Sequence, residues 1–220
     1  MSQIITTELV KELRDATGVS VMQCKRALEE AGGDMKKALA ILKKTSSDIA
    51  LKKADRQVKD GAVMIKTENN KSALVSLLCE TDFVSRNEDF TSLLSRLTDL
   101  ALEKMSAKGG PASGWKEDAK DMIDPVIQKT GENIQLGDAY LVEGDILGNY
   151  VHNNKIAVIV SLEGGNTELA KNIAMQIVAM QPEGIPELLD QPFIKNLDET
   201  IGELLEKSKA KIKEVKHYSI

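Results

Sequence analysis

The sequence predicts an α+β protein: a small three-helix module, a charged linker helix, and a core of two related units that combine antiparallel sheet with helix. Three observations support this. Three short helical segments with their own start signals occupy Thr6 to Leu42. The stretch "ENNKSALVSLLCETD", Glu68 to Asp82, returns 84 residues later as "HNNKIAVIVSLEGGN", His152 to Asn166. Each copy is an Asn-Asn turn followed by a β-rich apolar run, and each run leads into a helical pattern.

The elements follow in order. "TTELVKELRDATG" places Leu9, Leu13 and Ala16 on one helical face and stops at Gly18. "SVMQCKRALEEAGG" opens with Ser20 and Gln23 at capping-box spacing, and "DMKKALAILKK" opens with Asp34 as N-cap. Helices this short do not stand alone, so residues 1–44 are expected to pack as one module. Residues 45–60 carry Lys52, Lys53, Arg56 and Lys59 and read as a charged linker helix ending at Gly61. The first core unit, 61–144, begins with "GAVMIKT" as the strand before the Asn-Asn turn. It continues through the helix "FTSLLSRLTDLALEKM", a breaker-rich middle, a further helix and a last strand. The second unit, 145–220, repeats that order with "GNYV", "TELAKNIAMQIVAM", the middle "QPEGIPELLDQP" and "KSKAKIKEVKHYSI". In the closing strands Ile134 stands opposite Ile212.

Composition narrows the function. Of 220 residues, 29 are basic and 34 acidic, for a net charge of -5. A duplex-binding domain needs a basic excess to neutralise phosphates, so direct nucleic-acid binding is not expected. No apolar run of membrane-spanning length and no signal-peptide pattern occurs, so the expected compartment is the cytoplasm, with no membrane partner. Cys24 and Cys79 are too few and too far apart for a disulfide framework or zinc site and read as reduced structural thiols. There is no phosphate-cradling glycine loop or nucleophile elbow, and the pair Gly164-Gly165 reads as a turn. No catalytic residue, metal ligand or cofactor is assigned.

"CETDFVSRNEDF", Cys79 to Phe90, combines carboxylates with an aromatic in a chain that has three phenylalanines. On periodicity alone Asp82 caps a helix and Phe83 staples onto it. A metal site on the "ETD" and "NED" carboxylates needs several oxygens converging on one point, and no EF-hand spacing supports it.

Together, "LVKELRDATGVSVMQCKRALEEAGGD", "CETDFVSRNEDF", "GDILGNYVHNNKIAVIVSLEG", "AKNIAMQIVAMQP" and "QPFIKN" make the chain resemble bacterial translation elongation factor Ts over essentially its whole length. The resemblance implies a ubiquitin-associated (UBA)-like three-helix module, a linker helix and two related core subdomains. It implies a guanine nucleotide exchange factor for elongation factor Tu, not an enzyme, that engages the GTPase in its GDP-bound and nucleotide-free states. It places Val21 and Met22 on the turn that contacts the GTPase. It places Asp82 and Phe83, presented from Thr81, beside the partner's magnesium and phosphate region, and gives His152 a further contact. Arg86, Asn87 and Glu88 are expected to shape the turn and cap the next helix.

The chain departs from the family in places. Only "MQPEGIPELLD" stands where longer members carry a helical hairpin insertion, and the chain ends at Ile220 without the C-terminal helix of some members. Val21 replaces a common methionine and Ser85 a common alanine. Met1 favours a bacterial cytoplasm over a processed organellar protein, and a homodimer stays open. Two competing readings are an adaptor that binds ubiquitin-like proteins through the helical module, and a divalent-metal hydrolase built on the clustered carboxylates.

Overall fold

A computed structural model describes residues 5–106, 110–111 and 114–220. Parts of the first breaker-rich middle, 107–109 and 112–113, lie outside the described residues. The elements begin with α1 (Thr7–Thr17), α2 (Val21–Glu30), α3 (Met35–Lys53), β1 (Asp60–Glu68), β2 (Lys71–Cys79), α4 (Asp82–Ser85) and α5 (Glu88–Lys104). Next come β3 (Met105–Ser106), β4 (Gly110–Pro111), α6 (Trp115–Thr130), β5 (Ile134–Glu143), β6 (Ile146–His152) and β7 (Ile156–Glu163). The chain closes with α7 (Thr167–Met180), α8 (Ile185–Asp190), β8 (Pro192–Phe193), β9 (Asn196–Thr200), α9 (Ile201–Lys207) and β10 (Lys211–Ser219). The class is α+β with antiparallel pairing, and among the described residues no helix is long and apolar enough to cross a membrane.

The chain divides into two compact units that do not follow sequence order. One comprises Met1–Asp60, Leu78–Leu93 and Glu117–Gln135, the other Gly61–Leu77, Leu94–Lys116 and Leu136–Ile220.

In the first unit, local signals set the helix ends. Gly18 takes φ 68° after α1 and its N–H closes on Arg14 O, a left-handed cap that a glycine adopts without strain. Ser20 Oγ accepts from Gln23 N to start α2, and Asp34 Oδ1 accepts from Lys37 N to start α3. Leu13, Val19, Cys24, Ala27, Leu28, Ala38 and Leu42 form a shared core. Leu13 and Leu28 are fully buried, each contributing roughly 1.5–3 kcal/mol of hydrophobic stabilisation. Ala16, expected on that face, is exposed. The connector expected to begin at residue 45 is continuous with the third helix, because α3 runs unbroken to Lys53. Ser46 and Ser47 hold α3 to α6 by hydrogen bonds to Gln128 and Asp124. Helix α6 occupies much of the expected breaker-rich middle and carries Pro125 inside it.

The second unit contains two three-stranded sheets, ordered β1-β2-β5 and β10-β7-β6. In the latter, β7 pairs antiparallel with both neighbours, Val160 standing opposite Gly148 on one side and Val215 on the other. Its alternate residues serve two cores. Ala157 and Ile159 pack with Val63, Leu74, Val142 and Leu147. Val158, Val160 and Leu162 pack with Leu169, Ala170, Ile173 and Ile177 of α7 and with Leu188, Ile201 and Leu205. Both faces being covered explains why β7 reads as an apolar run from Ile156 to Val160.

The 84-residue spacing holds to the turns and slips after them. Only Asn69 has positive φ in the first turn, 53°, whereas Asn153 and Asn154 both do in the second, 51° and 56°. Strand β7 therefore starts one residue later than the spacing expects, and Leu74 shares a core with Ile159 instead of Val158. A one-residue shift moves every side chain to the other face of a strand.

Candidate functional site

Strand β2 ends at Cys79, and the chain turns through Glu80 and Thr81 into α4, a single helical turn. Thr81 is extended at φ -133° and ψ 159° and makes no side-chain cap on α4. Its hydroxyl donates instead to Glu132 Oε1 at 2.6 Å, while Glu132 Oε2 accepts from Thr81 N at 3.0 Å and Glu80 N at 3.1 Å. Glu80 Oε1 accepts from Asn133 N at 2.7 Å and from Arg56 Nη1 at 3.4 Å. The Asn133 N–H is the main reason the Glu80 carboxyl lies below its ordinary range, with Arg56 adding to it and burial opposing.

Asp82 is the first residue of α4 and Thr81 occupies its N-cap position, so Asp82 is not a cap. Arg86 lies 3.3 Å from the Asp82 carboxylate in an exposed pair that contributes little to stability. Asn87 starts the next helix, its Oδ1 accepting from Asp89 N at 2.8 Å. Phe83 is 84% exposed while Phe90 is fully buried. The staple expected from periodicity is absent: the aromatic projects from the turn without packing onto α5.

Val21 and Met22 form the first turn of α2 and are 52% and 64% exposed. Both lie in the same unit as Thr81, Asp82 and Phe83. Lys129 runs between the two segments: its Nζ donates to Asp89 Oδ1 at 2.7 Å, and a Cβ on Gly18 would stand 3.3 Å from the same nitrogen. A cleft of about 290 Å³ opens beside Val21, with Ile5 and Val10 among its apolar walls and Lys11, Arg14 and Lys25 supplying positive charge.

His152 belongs to the other unit and ends β6 at the Asn-Asn turn, exposed. Tyr150 Oη lies 3.3 Å from Nδ1 and Asn153 Nδ2 lies 3.1 Å from Nε2. Both ring nitrogens thus have a polar neighbour on the same turn, with donor and acceptor roles set by the tautomer.

Among the described residues, no three His, Cys, Asp or Glu side chains are grouped as a metal ion would need. Both cysteine thiols are buried. Sequence reasoning missed Lys129 and Glu132, which flank the glycine turn "KTGEN". A Gly after a helix marks the turn, and nothing local marks what its side chains reach.

Residues 80–187 match the family model described as Elongation factor TS. Three similar proteins are each called Elongation factor Ts. The one from Psychrobacter sp. (strain PRwf-1) is 40% identical over 185 residues, covering 82% of this chain and 63% of the relative. That from Hahella chejuensis (strain KCTC 2396) is 43% identical over 182 residues, 81% of this chain and 63% of the relative. That from Pseudomonas entomophila (strain L48) is 38% identical over 179 residues, 81% and 61%. The chain thus spans 61% to 63% of the length of these relatives. The family-model match begins at Glu80 and takes in the turn that carries Phe83, and with identities near 40% over most of its residues the chain is similar to elongation factor Ts.

Proposed function

We propose that the chain is a guanine nucleotide exchange factor for elongation factor Tu, acting in the cytoplasm during translation elongation by protein-protein binding, without turnover chemistry of its own. The observation that carries the reading is Phe83, 84% exposed on a turn whose backbone is anchored from another segment. Exposing a large apolar ring to water is unfavourable unless a partner covers it. The likeness to elongation factor Ts supports elongation factor Tu as that partner.

Exchange of this kind is linkage. A factor that prefers the nucleotide-free GTPase to the GDP-bound one weakens GDP by the same ratio, and each tenfold of that ratio corresponds to about 1.4 kcal/mol. Phe83 acts as an apolar wedge between two elements of the GTPase. Asp82 brings negative charge toward a magnesium site whose near-octahedral geometry tolerates little displacement. Val21 and Met22 give the helical module, UBA-like over 1–44 and joined by the linker at 45–60, a second apolar contact. His152 makes a further contact from the second core subdomain, 145–220, the first being 61–144.

The test is release of a fluorescent GDP analogue from preloaded elongation factor Tu. Stoichiometric addition of the chain accelerates release; an unchanged rate defeats the proposal.

A further inference from the structure

The turn that carries Phe83 is held by a residue 51 positions away. Glu132 takes three hydrogen bonds from Glu80 and Thr81, two to Oε2 from the backbone and one to Oε1 from the threonine hydroxyl. The exchange is reciprocal, because Asn133 N donates to Glu80 Oε1 at 2.7 Å while Asn133 Nδ2 donates to Arg56 O at 2.7 Å. Each segment's carboxylate therefore satisfies the other's main-chain N–H. Helix α4 has little of its own to fix its direction: four residues, no side-chain cap, and closing bonds of 3.2 Å from Ser85 N to Thr81 O and 3.3 Å from Arg86 N to Asp82 O. Hydrogen bonds to an ionised carboxylate are roughly twice as strong as neutral ones, and three of them converge where α4 begins.

We infer that Glu132 is a positioning residue for exchange: it locks the backbone of Glu80 and Thr81 and so fixes the direction in which Phe83 projects. The inference rests on the exchange reading above. Without Glu132 the turn samples several directions, and the rate of GDP displacement falls with the fraction that is correctly aimed.

The experiment uses the full chain and its variants E132A, E132Q, F83A and E132A/F83A. Fluorescent GDP release is measured at saturating factor, thermal unfolding is recorded for each variant, and amide hydrogen exchange is followed in the free chain. E132A is expected to slow release about tenfold at a temperature where its unfolding curve shows it still folded, even though losing three hydrogen bonds lowers the midpoint. E132Q stays within about twofold, since its amide oxygen still accepts the two N–H groups and its NH₂ donates to the Thr81 hydroxyl. E132A adds little to F83A, because both act through one ring. Wild-type release by E132A, equal loss in E132Q and E132A, or multiplicative losses in the double variant overturns the inference. If the wild-type chain itself fails to release GDP, the exchange reading falls and the clamp is judged on amide exchange alone. Faster exchange confined to Glu80, Thr81 and α4 in E132A then supports it, and unchanged exchange sinks it.

Discussion

Lys129 reaches two segments at once, its Nζ 2.7 Å from Asp89 Oδ1 and placed so that a Cβ on Gly18 would come within 3.3 Å of it. Gly18 is thereby constrained twice, by φ 68° and by the lysine above it. G18A is expected to destabilise the chain by about 1–2 kcal/mol through the left-handed backbone alone. K129A removes a half-exposed ion pair and is expected to cost under about 1 kcal/mol. In the G18A/K129A double variant the steric part of the loss disappears and the backbone part stays. Urea unfolding of the four proteins separates the two contributions, and a double loss equal to the sum of the singles rejects the contact.

Phe83 and Phe90 lie seven positions apart and should respond in opposite ways. F90A opens a cavity at a fully buried site and is expected to cost about 3–5 kcal/mol. F83A removes a ring that is 84% exposed and is expected to change stability by less than about 0.5 kcal/mol. If F83A instead lowers the unfolding free energy by more than about 1 kcal/mol, the ring packs as a staple in solution.

What the sequence disclosed was whatever is encoded locally. Ser20 and Asp34 each sit where their side-chain oxygen caps the helix that follows, and the Asn-Asn turns mark both hairpins. The strand register was not legible, because Asn153-Asn154-Lys155 spends one more residue in its turn than Asn69-Asn70 does, and no pattern of hydrophobicity reports that. Periodicity alone did not show Phe83 as a projecting group, and only the family resemblance pointed that way: an aromatic after a threonine and an aspartate fits a staple equally well until the packing of Phe90 is known. Glu132 was silent for a different reason. Its three partners are 51 and 52 residues away, and a carboxylate in a polar turn carries no periodic signal of where it reaches.

The Glu80 carboxyl should leave a trace in acid. Its folded pKa is lowered, chiefly by the Asn133 N–H and further by Arg56, so the folded state favours the ionised form. Its stabilisation is fully present above the ordinary value of 4.5 and is lost as pH falls through the lower folded value. E80Q is expected to be less stable than wild type near neutrality, with the difference shrinking as the solution is acidified past that range. Urea unfolding across a pH series checks this, and a gap that widens on acidification contradicts it.

The packing of α7 on β6 depends on one missing side chain. A Cβ at Gly148 would fall 2.2 Å from Lys171 N and 2.3 Å from Ala170 C, both main-chain atoms in the helix that supplies Leu169, Ala170, Ile173 and Ile177 to its core. No rotamer change relieves a clash with backbone, so the helix itself has to lift from the sheet, and tightly packed interiors resist such shifts. G148A is expected to destabilise the chain by about 3 kcal/mol or more, at the upper end of what overpacking produces. Gly202, whose Cβ would come only to 3.2 Å of Leu189 O, provides the comparison: a shift of a few tenths of an ångström accommodates it, and G202A is expected to lose much less. Far-ultraviolet circular dichroism during urea unfolding ranks the two variants. Equal stability of G148A and wild type refutes the close approach of α7 to β6 at this position.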